Sequence, residues 1–428
     1  MKQFGMALLL CAALSVGMFS GCAHAETTST NASSSTAPSA QTASTASAAS
    51  SSTSSSSSTS SSSSSSSIEV SALSVAELFT DRDQTQTADT ASAKKIELKS
   101  GEGVTIAEEG TYVISGTAEN TTITVDADGA KVQLVLDNAN ITNSDSAAIY
   151  VANADKVFVT TASGTTNTLA TTGTFASTVD NNIDGVIYAS DDIVLNGTGT
   201  LVVNSSGNGI VGKDDVKVTG GTYKITAGGH GIQGKDSVAI ADGTFTIAAQ
   251  TDAIHAENAD DAALGYIYIA GGTFNLQAAS DGISGTSIVK VDGGNLTINA
   301  AEGVEGTYVQ FNDGTVDVTA SDDGINATSK SSAYSVKLEI NGGKVSVNMG
   351  SGDTDALDAN GDLVINGGTV DITAQSAFDY DGKGELNGGT VTVNGQQVTE
   401  LANSMMGGGG QGGQGNRGGM GGPQGQRQ

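Results

Sequence analysis

The stretch from Gly220 to Gly243, GGTYKITAGGHGIQGKDSVAIADG, contains three short apolar segments and then the start of the same pattern again. Tyr223 and Ile225 alternate with polar residues, Ile232 stands between Gly231 and Gln233, and Val238 and Ile240 flank Ala239. Successive side chains of a strand point to opposite faces, so period two marks half-buried strands. The glycine step recurs along the chain. With the second glycine of each Gly-Gly or Asp-Gly step as a marker, and Gly199 added from a looser Gly-Thr-Gly version, the markers fall at Gly199, Gly221, Gly243, Gly272, Gly294, Gly314, Gly343, Gly368 and Gly389. The gaps are 22, 22, 29, 22, 20, 29, 25 and 21 residues.

Each marker is followed by the same alternation, from Tyr223/Ile225 through Phe245/Ile247 and Phe274/Leu276 to Val391/Val393. A second apolar position lies about eleven residues on, at Ile210, Ile232, Ile254, Ile283, Val304 and Ile325, each preceded by glycine or alanine. A third pair, such as Val238/Ile240 or Ile267/Ile269, precedes the next marker. Three strands of this length cannot enclose a core alone, so each turn must stack on its neighbours. The expected fold is all-β, a right-handed parallel β-helix of the pectate-lyase-like solenoid kind. The two 29-residue gaps lengthen one corner, between second and third strands, at 258–265 and 327–335. Insertions confined to one corner mark a face available for function.

Composition sets the limits. Fifty-eight glycines, two prolines and no tryptophan in 428 residues suit a β-solenoid better than a helical protein. A net charge of −28 repels a phosphate backbone and argues against nucleic-acid binding. Residues 1–22 read as an export signal: Lys2, an apolar run, then Phe19-Ser20-Gly21-Cys22, a lipobox-like ending that makes Cys22 the expected lipidation site. The alternative is an ordinary signal peptide cut near Ala23-His24-Ala25. Residues 23–67 are almost wholly Ser, Thr and Ala, the composition of a disordered tether. Residues 68–198 read as an N-terminal cap and irregular first turns, 199–401 as regular turns, and 402–428 as a Gly-rich disordered tail.

The residue two places before each second-strand apolar position carries the chemistry. Asp184, Asn208, His230, Asp252, Asp281, Glu302, Asp323 and Asp355 would stack at about 5 Å, where unneutralised carboxylates raise one another's pKa or require a cation. Further acids flank them, and the expected metal ligands are Asp252, Glu257, Asp281, Asp322, Asp323, Asp353, Asp355 and Asp358. Hard oxygen donors with few nitrogens and no mature thiol favour Ca²⁺ over Zn²⁺. Turn propensity accounts for part of the pattern, because Asp and Asn before glycine are common turn residues. The stacked Tyr223, Phe245 and Phe274 read as core. Candidate sugar contacts are the corner residues Gln233, His255, Glu305 and Asn326, with Tyr334 in the second long corner.

Two enzyme motifs stand against this reading. Gly229-His230-Gly231 and Asp322-Asp323-Gly324 match fragments of polygalacturonase sites, but four turns, roughly 19 Å, separate them, and no arginine lies in the turns to hold a uronate. A lyase needs a base beside the acids, for which Lys213 and Lys235 are the placed candidates; the simpler role for each is a salt bridge to Asp214, Asp215 or Asp236.

Phe79-Thr-Asp-Arg-Asp83, Gly110-Thr-Tyr-Val-Ile-Ser-Gly116, Val132-Gln-Leu-Val-Leu-Asp137, Ser146-Ala-Ala-Ile-Tyr150, Gly164-Thr-Thr-Asn-Thr-Leu169 and Asn208-Gly-Ile-Val-Gly-Lys-Asp-Asp215, in this order, resemble bacterial carbohydrate-binding-domain lipoproteins. The resemblance covers about residues 68–401. It implies a calcium-containing, lyase-like helix that binds polysaccharide such as cellulose or polygalacturonate without established catalysis, and it points to Asp252, Asp281, Asp323 and Asp355 as the matching Asp-Gly-Ile type corners. The expected protein is therefore a monomeric, calcium-containing polysaccharide binder held at the outer face of the bacterial membrane by lipid. The alternatives are a calcium-dependent lyase with a lysine base, and a non-catalytic adhesive rod.

Overall fold

A computed structural model describes residues 67–176, 182–350 and 355–403. The expected leader with Cys22, nearly all of the tether, Asp353 and nearly all of the Gly-rich tail lie outside them. The described chain is a parallel β-helix with three strands per turn. Second strands, among them Ile232–Gly234, Ile254–Ala256, Asp281–Gly285, Glu302–Gly306 and Ile325–Ala327, form a parallel sheet of twelve. First strands such as Thr222–Ala227 and third strands such as Ser237–Ile240 stack in the same way within one hydrogen-bonded network.

The apolar alternation predicts the register. Ile210, Ile232, Ile254, Ile283, Val304, Ile325 and Leu357 pair in sequence and are fully buried. Burying each such side chain contributes roughly 1.5–3 kcal/mol, and the stack repeats it turn after turn. Tyr223, Phe245 and Phe274 are core, with ring centroids 5.1 and 4.7 Å apart and nearly parallel planes. The eight markers from Gly221 to Gly389 all have positive φ, from +72° to +145°, so the ruler is a left-handed turn that glycine alone adopts without cost. Gly199 departs from this: it occupies the marker level, one residue before the pair Thr200 and Thr222, while the left-handed residue there is Gly197. Just ahead of the later markers, Asn312, Asn341, Asn366 and Asn387 donate side-chain amides one turn back at 2.6–2.9 Å, a ladder not singled out from sequence.

The small residue before each second-strand apolar position has a packing cause. A Cβ on Gly303 would lie 2.3 Å from the Gly324 carbonyl oxygen and 2.4 Å from Val318 Cγ1. The backbone therefore bends inward at this point, and the residue before it turns outward. Asp184 does not join that outward column, because the register sets Gly185 opposite Asn208, and Asp184 instead accepts the Asn208 N–H through its carbonyl.

The start of the domain differs from the expected cap. Residues 67–90 run along the outside of the third-strand sheet. Leu73 and Phe79 bury against Ala239, Tyr266, Tyr268 and Ile288. Lys290 donates to the Leu73 carbonyl at 2.6 Å, Arg82 lies over the Phe158 ring, and Asp83 accepts Thr219 Oγ1 through its carbonyl. The first strand of the solenoid proper is Lys94–Glu97, paired with Gly110–Glu119. At the other end, Gln396–Val398 turns back antiparallel on Thr390–Val393 and ends the parallel stacking.

Candidate functional site

The outer face of the second-strand sheet carries two columns. One is the outward-turned residue two places before the core position: Asn208, His230, Asp252, Asp281, Glu302, Asp323 and Asp355. The other is the residue just after it: Tyr150, Tyr188, Val211, Gln233, His255, Ser284, Glu305, Asn326, Asp358 and Asp379. The face changes character along its length. Tyr150 and Tyr188, ring centroids 6.1 Å apart, form with Val211 an aromatic start; from Asp281 onward it is dominated by acids.

The first column has a structural duty that residue identity alone does not disclose. Asn208 Oδ1 accepts the His230 backbone N–H at 2.8 Å, Asp252 Oδ1 that of Asp281 at 3.0 Å, and Asp323 Oδ1 that of Asp355 at 3.2 Å. One acceptor in each of these turns thus satisfies a donor in the next. The turn-chemistry reading is partly right, but its hydrogen bonds run between turns.

The remaining acid oxygens crowd one another. Burial, together with Asp323 and Asp379, pushes Asp358 up to about 7. Burial and the neighbours Glu305 and Asp281 push Glu302 up to about 7, and burial with Asp252 and Glu305 raises Asp281 to about 6. Asp252 goes the other way: burial opposes its charge, yet the imidazoles of His230 and His255 and the Asp281 N–H hold its carboxyl well below the usual carboxylate range. The Asn326 amide donates to Glu302 at 3.3 Å and leaves its buried Oδ1 without a hydrogen-bond partner. Asp355 accepts the Ser376 hydroxyl, and Asp322 stands exposed beside Asp323.

Both long corners fall where the gaps placed them, at 257–265 and 328–336, and they touch: Ser331 donates to the Ala262 carbonyl. Asn258 organises the first, accepting the N–H groups of Asp260 and Asp261 at 2.8 Å and donating to Asp236 at 2.6 Å. Between the corners lies a polar cleft of about 500 Å³ with Glu257, Thr286 and Lys330 on its walls. Lys330, not singled out from sequence, reaches back over the second-strand face to Glu305 and Ser284. Its distance in sequence from both residues hides this role.

Of the expected sugar contacts, Gln233, His255, Glu305 and Asn326 share the second column. Tyr334 does not: its hydroxyl accepts the Ile68 N–H at 2.9 Å and donates to the Ala263 carbonyl at 3.3 Å, so it fastens the 67–90 segment on the other side. Neither lysine offered as a base stands free. Lys235 pairs with Asp260 at 2.7 Å, a different acid from those expected, and this contact raises its pKa, away from that of a base. The Lys213 ammonium lies over Tyr188 at 5.4 Å. Among the described residues, Asp252 alone of the expected metal ligands belongs to a cluster of three donor atoms within 4.8 Å of one another, and its partners are His230 and His255.

A long, open, polar face on a parallel β-helix is the architecture of a solenoid that meets an extended ligand. The chain belongs to the carbohydrate-binding domain-containing protein family, whose model matches residues 100–307 and 301–404. A relative of that description from Acetivibrio thermocellus is 42% identical over 123 residues, which cover 28% of this chain and 43% of the relative, so the chain spans less than half of that protein. A solved structure described as a polysaccharide lyase-like protein from C. thermocellum superposes with a TM-score of 0.49 at 32% identity, covering 51% of this chain and 96% of that one.

Proposed function

We propose that this protein is a non-catalytic polysaccharide-binding solenoid, tethered through Cys22 to the outer face of the bacterial membrane, and that its glycan lies along the second-strand face. The observation that carries this reading is the contrast in cover: the third-strand face is masked by residues 67–90, whereas Gln233, His255, Glu305, Asn326 and Asp358 stay partly exposed beside the cleft at Lys330. Gln233, Glu305, Asn326 and Lys330 supply hydroxyl-matching donors and acceptors in a line, the arrangement that an extended chain of sugars requires.

The acid half of the face suits Ca²⁺. Asp281, Glu302, Glu305, Asn326, Asp323, Asp355 and Asp358 are oxygen donors, several carboxyls among them resist ionising beside one another, and the orphaned Asn326 Oδ1 is an acceptor in need of a cation or donor. Bound there, calcium supplies the positive charge that neutralises these acids and attracts an acidic glycan such as polygalacturonate. With Lys213 and Lys235 engaged, no free base in the expected position favours a lyase.

The test is retention of the full chain on polygalacturonate and on insoluble cellulose, with calcium and then with chelator. Calcium-dependent retention on polygalacturonate supports the reading, and no retention on any glycan sinks it. Unsaturated sugar ends appearing in the ultraviolet, and vanishing in Lys235→Ala, would make the protein a lyase instead.

A further inference from the structure

His230, Asp252 and His255 form a cluster at the edge of the acid half of the face, before the run of oxygen donors that suits calcium. His230 and His255 sit one turn apart and stack, with ring centroids 4.3 Å apart and an interplanar angle of 22°. Their Nδ1 atoms both face Asp252 Oδ2, at 3.3 Å from His230 and 2.8 Å from His255. All three side chains are shielded but not sealed, with Asp252 only 8% exposed and His230 22%.

His255 Nε2 lies 3.5 Å from Glu257 Oε2, and His255 Nδ1 is buried 2.8 Å from Asp252 Oδ2. His230 Nδ1 accepts the Asp252 backbone N–H at 3.4 Å. Two imidazole nitrogens and a carboxylate oxygen, all within 4.8 Å of one another, thus converge on one point of the face.

We infer that His230 Nδ1, His255 Nδ1 and Asp252 Oδ2 form a site for a divalent transition metal of the Zn²⁺ or Cu²⁺ class. Imidazole nitrogen suits these ions and not calcium, which takes oxygen. Ligand atoms about 2.0–2.2 Å from a tetrahedral ion stand roughly 3.3–3.6 Å apart; the His230 separation of 3.3 Å matches this, and the His255 separation of 2.8 Å has to widen by about half an ångström on binding. Glu257 on the far nitrogen of His255 completes the carboxylate-histidine-metal arrangement that fixes a ligand's tautomer. Three protein ligands leave a coordination position for water or a sugar oxygen, on the same face as Gln233 and Ser284. The site needs no calcium and stands whether or not the acid half of the face holds any.

The chain contains three histidines, and the third, His24, falls in the expected tether, so a signal from two imidazoles that persists in His24→Ala identifies this pair. Full-length protein loaded with one equivalent of Cu²⁺ should give an electron paramagnetic resonance spectrum with hyperfine coupling from two imidazole nitrogens. Zn²⁺ titrated calorimetrically in millimolar calcium should still bind, and His255→Gln and His230→Gln should each weaken it by about 100-fold or more, with Glu257→Gln costing about 10-fold. A copper spectrum with one imidazole or none overturns the site without reliance on any variant. So does Zn²⁺ affinity unchanged in both histidine variants, or displacement of Zn²⁺ by calcium. Failure of calcium-dependent glycan retention with this site intact would sink the calcium reading alone.

Discussion

The second-strand and third-strand sheets are built from the same repeat and face outward in the same way, yet one is bare and the other covered. On the third-strand sheet the outward residues Phe158, Ala239 and Tyr268 are apolar and buried beneath residues 67–90. On the second-strand sheet the corresponding positions hold Gln233, His255, Ser284 and Glu305, and the described cover over them is the Lys330 side chain, which reaches Ser284 and Glu305 alone. A strand apolar on both sides is asking for a second layer, whereas one polar on the outside is left for solvent or ligand.

The comparison breaks most sharply if the cover is removed. Tyr268→Ala deletes a ring that is 2% exposed and bonded to Asp292, and should cost about 3 kcal/mol or more in a denaturant melt while making residues 67–90 protease-sensitive. Glycan retention below the melting range should persist; if it is lost, the two faces are not independent. On the bare face, the double change Glu302→Gln and Asp358→Asn should abolish calcium-dependent glycan retention, a loss of at least about tenfold or 1.4 kcal/mol in affinity, and leave the strap protected from protease.

A pH series sharpens the same contrast. Asp358 and Glu302 at about 7, and Asp281 and Asp214 at about 6, all lie above ordinary carboxyl values, and burial is the first cause in each. The folded protein therefore holds these protons more tightly than the unfolded chain, so the stability they contribute is complete below about pH 4 and lost as pH rises through 6 to 7. Metal-free protein should melt several degrees lower at pH 8 than at pH 5, and calcium should flatten that slope. A melting curve independent of pH, or a slope untouched by calcium, would remove the crowded-acid argument. The smallest effect belongs to Lys235→Ala, which breaks a solvent-exposed pair with Asp260 and should change neither melting nor glycan retention measurably.

Much of this was legible in the sequence, for a reason visible in particular residues. Period two at Tyr223/Ile225, a lone Ile232 and a second pair at Val238/Ile240 leave few ways to bury three stripes except by stacking. The acid column was visible too, because a fixed repeat turns positions in the chain into positions on a face. Asp184 was misplaced by one residue because the register slips in the irregular turns, where the ruler is absent. The strap over the third strands had a signal that the repeat drowned out: Tyr-Ile-Tyr-Ile at 266–269 is apolar on both sides, as a strand covered on both faces must be.

By itself the sequence determined the solenoid, its turn length, the buried stacks and the two long corners, because local alternation and glycine geometry recur every 20 to 29 residues and admit one packing. Tertiary structure alone decided what each polar residue faces. His230 departed from the acid pattern and His255 was read as a sugar contact, yet stacking brings both imidazoles onto Asp252; Tyr334 was read into the binding face and became a clasp for Ile68. Strand pairing is set by nearest neighbours in the repeat, but the partners of a side chain depend on turns 22 to 29 residues apart and on a segment more than 150 residues away, distances over which no local pattern carries information.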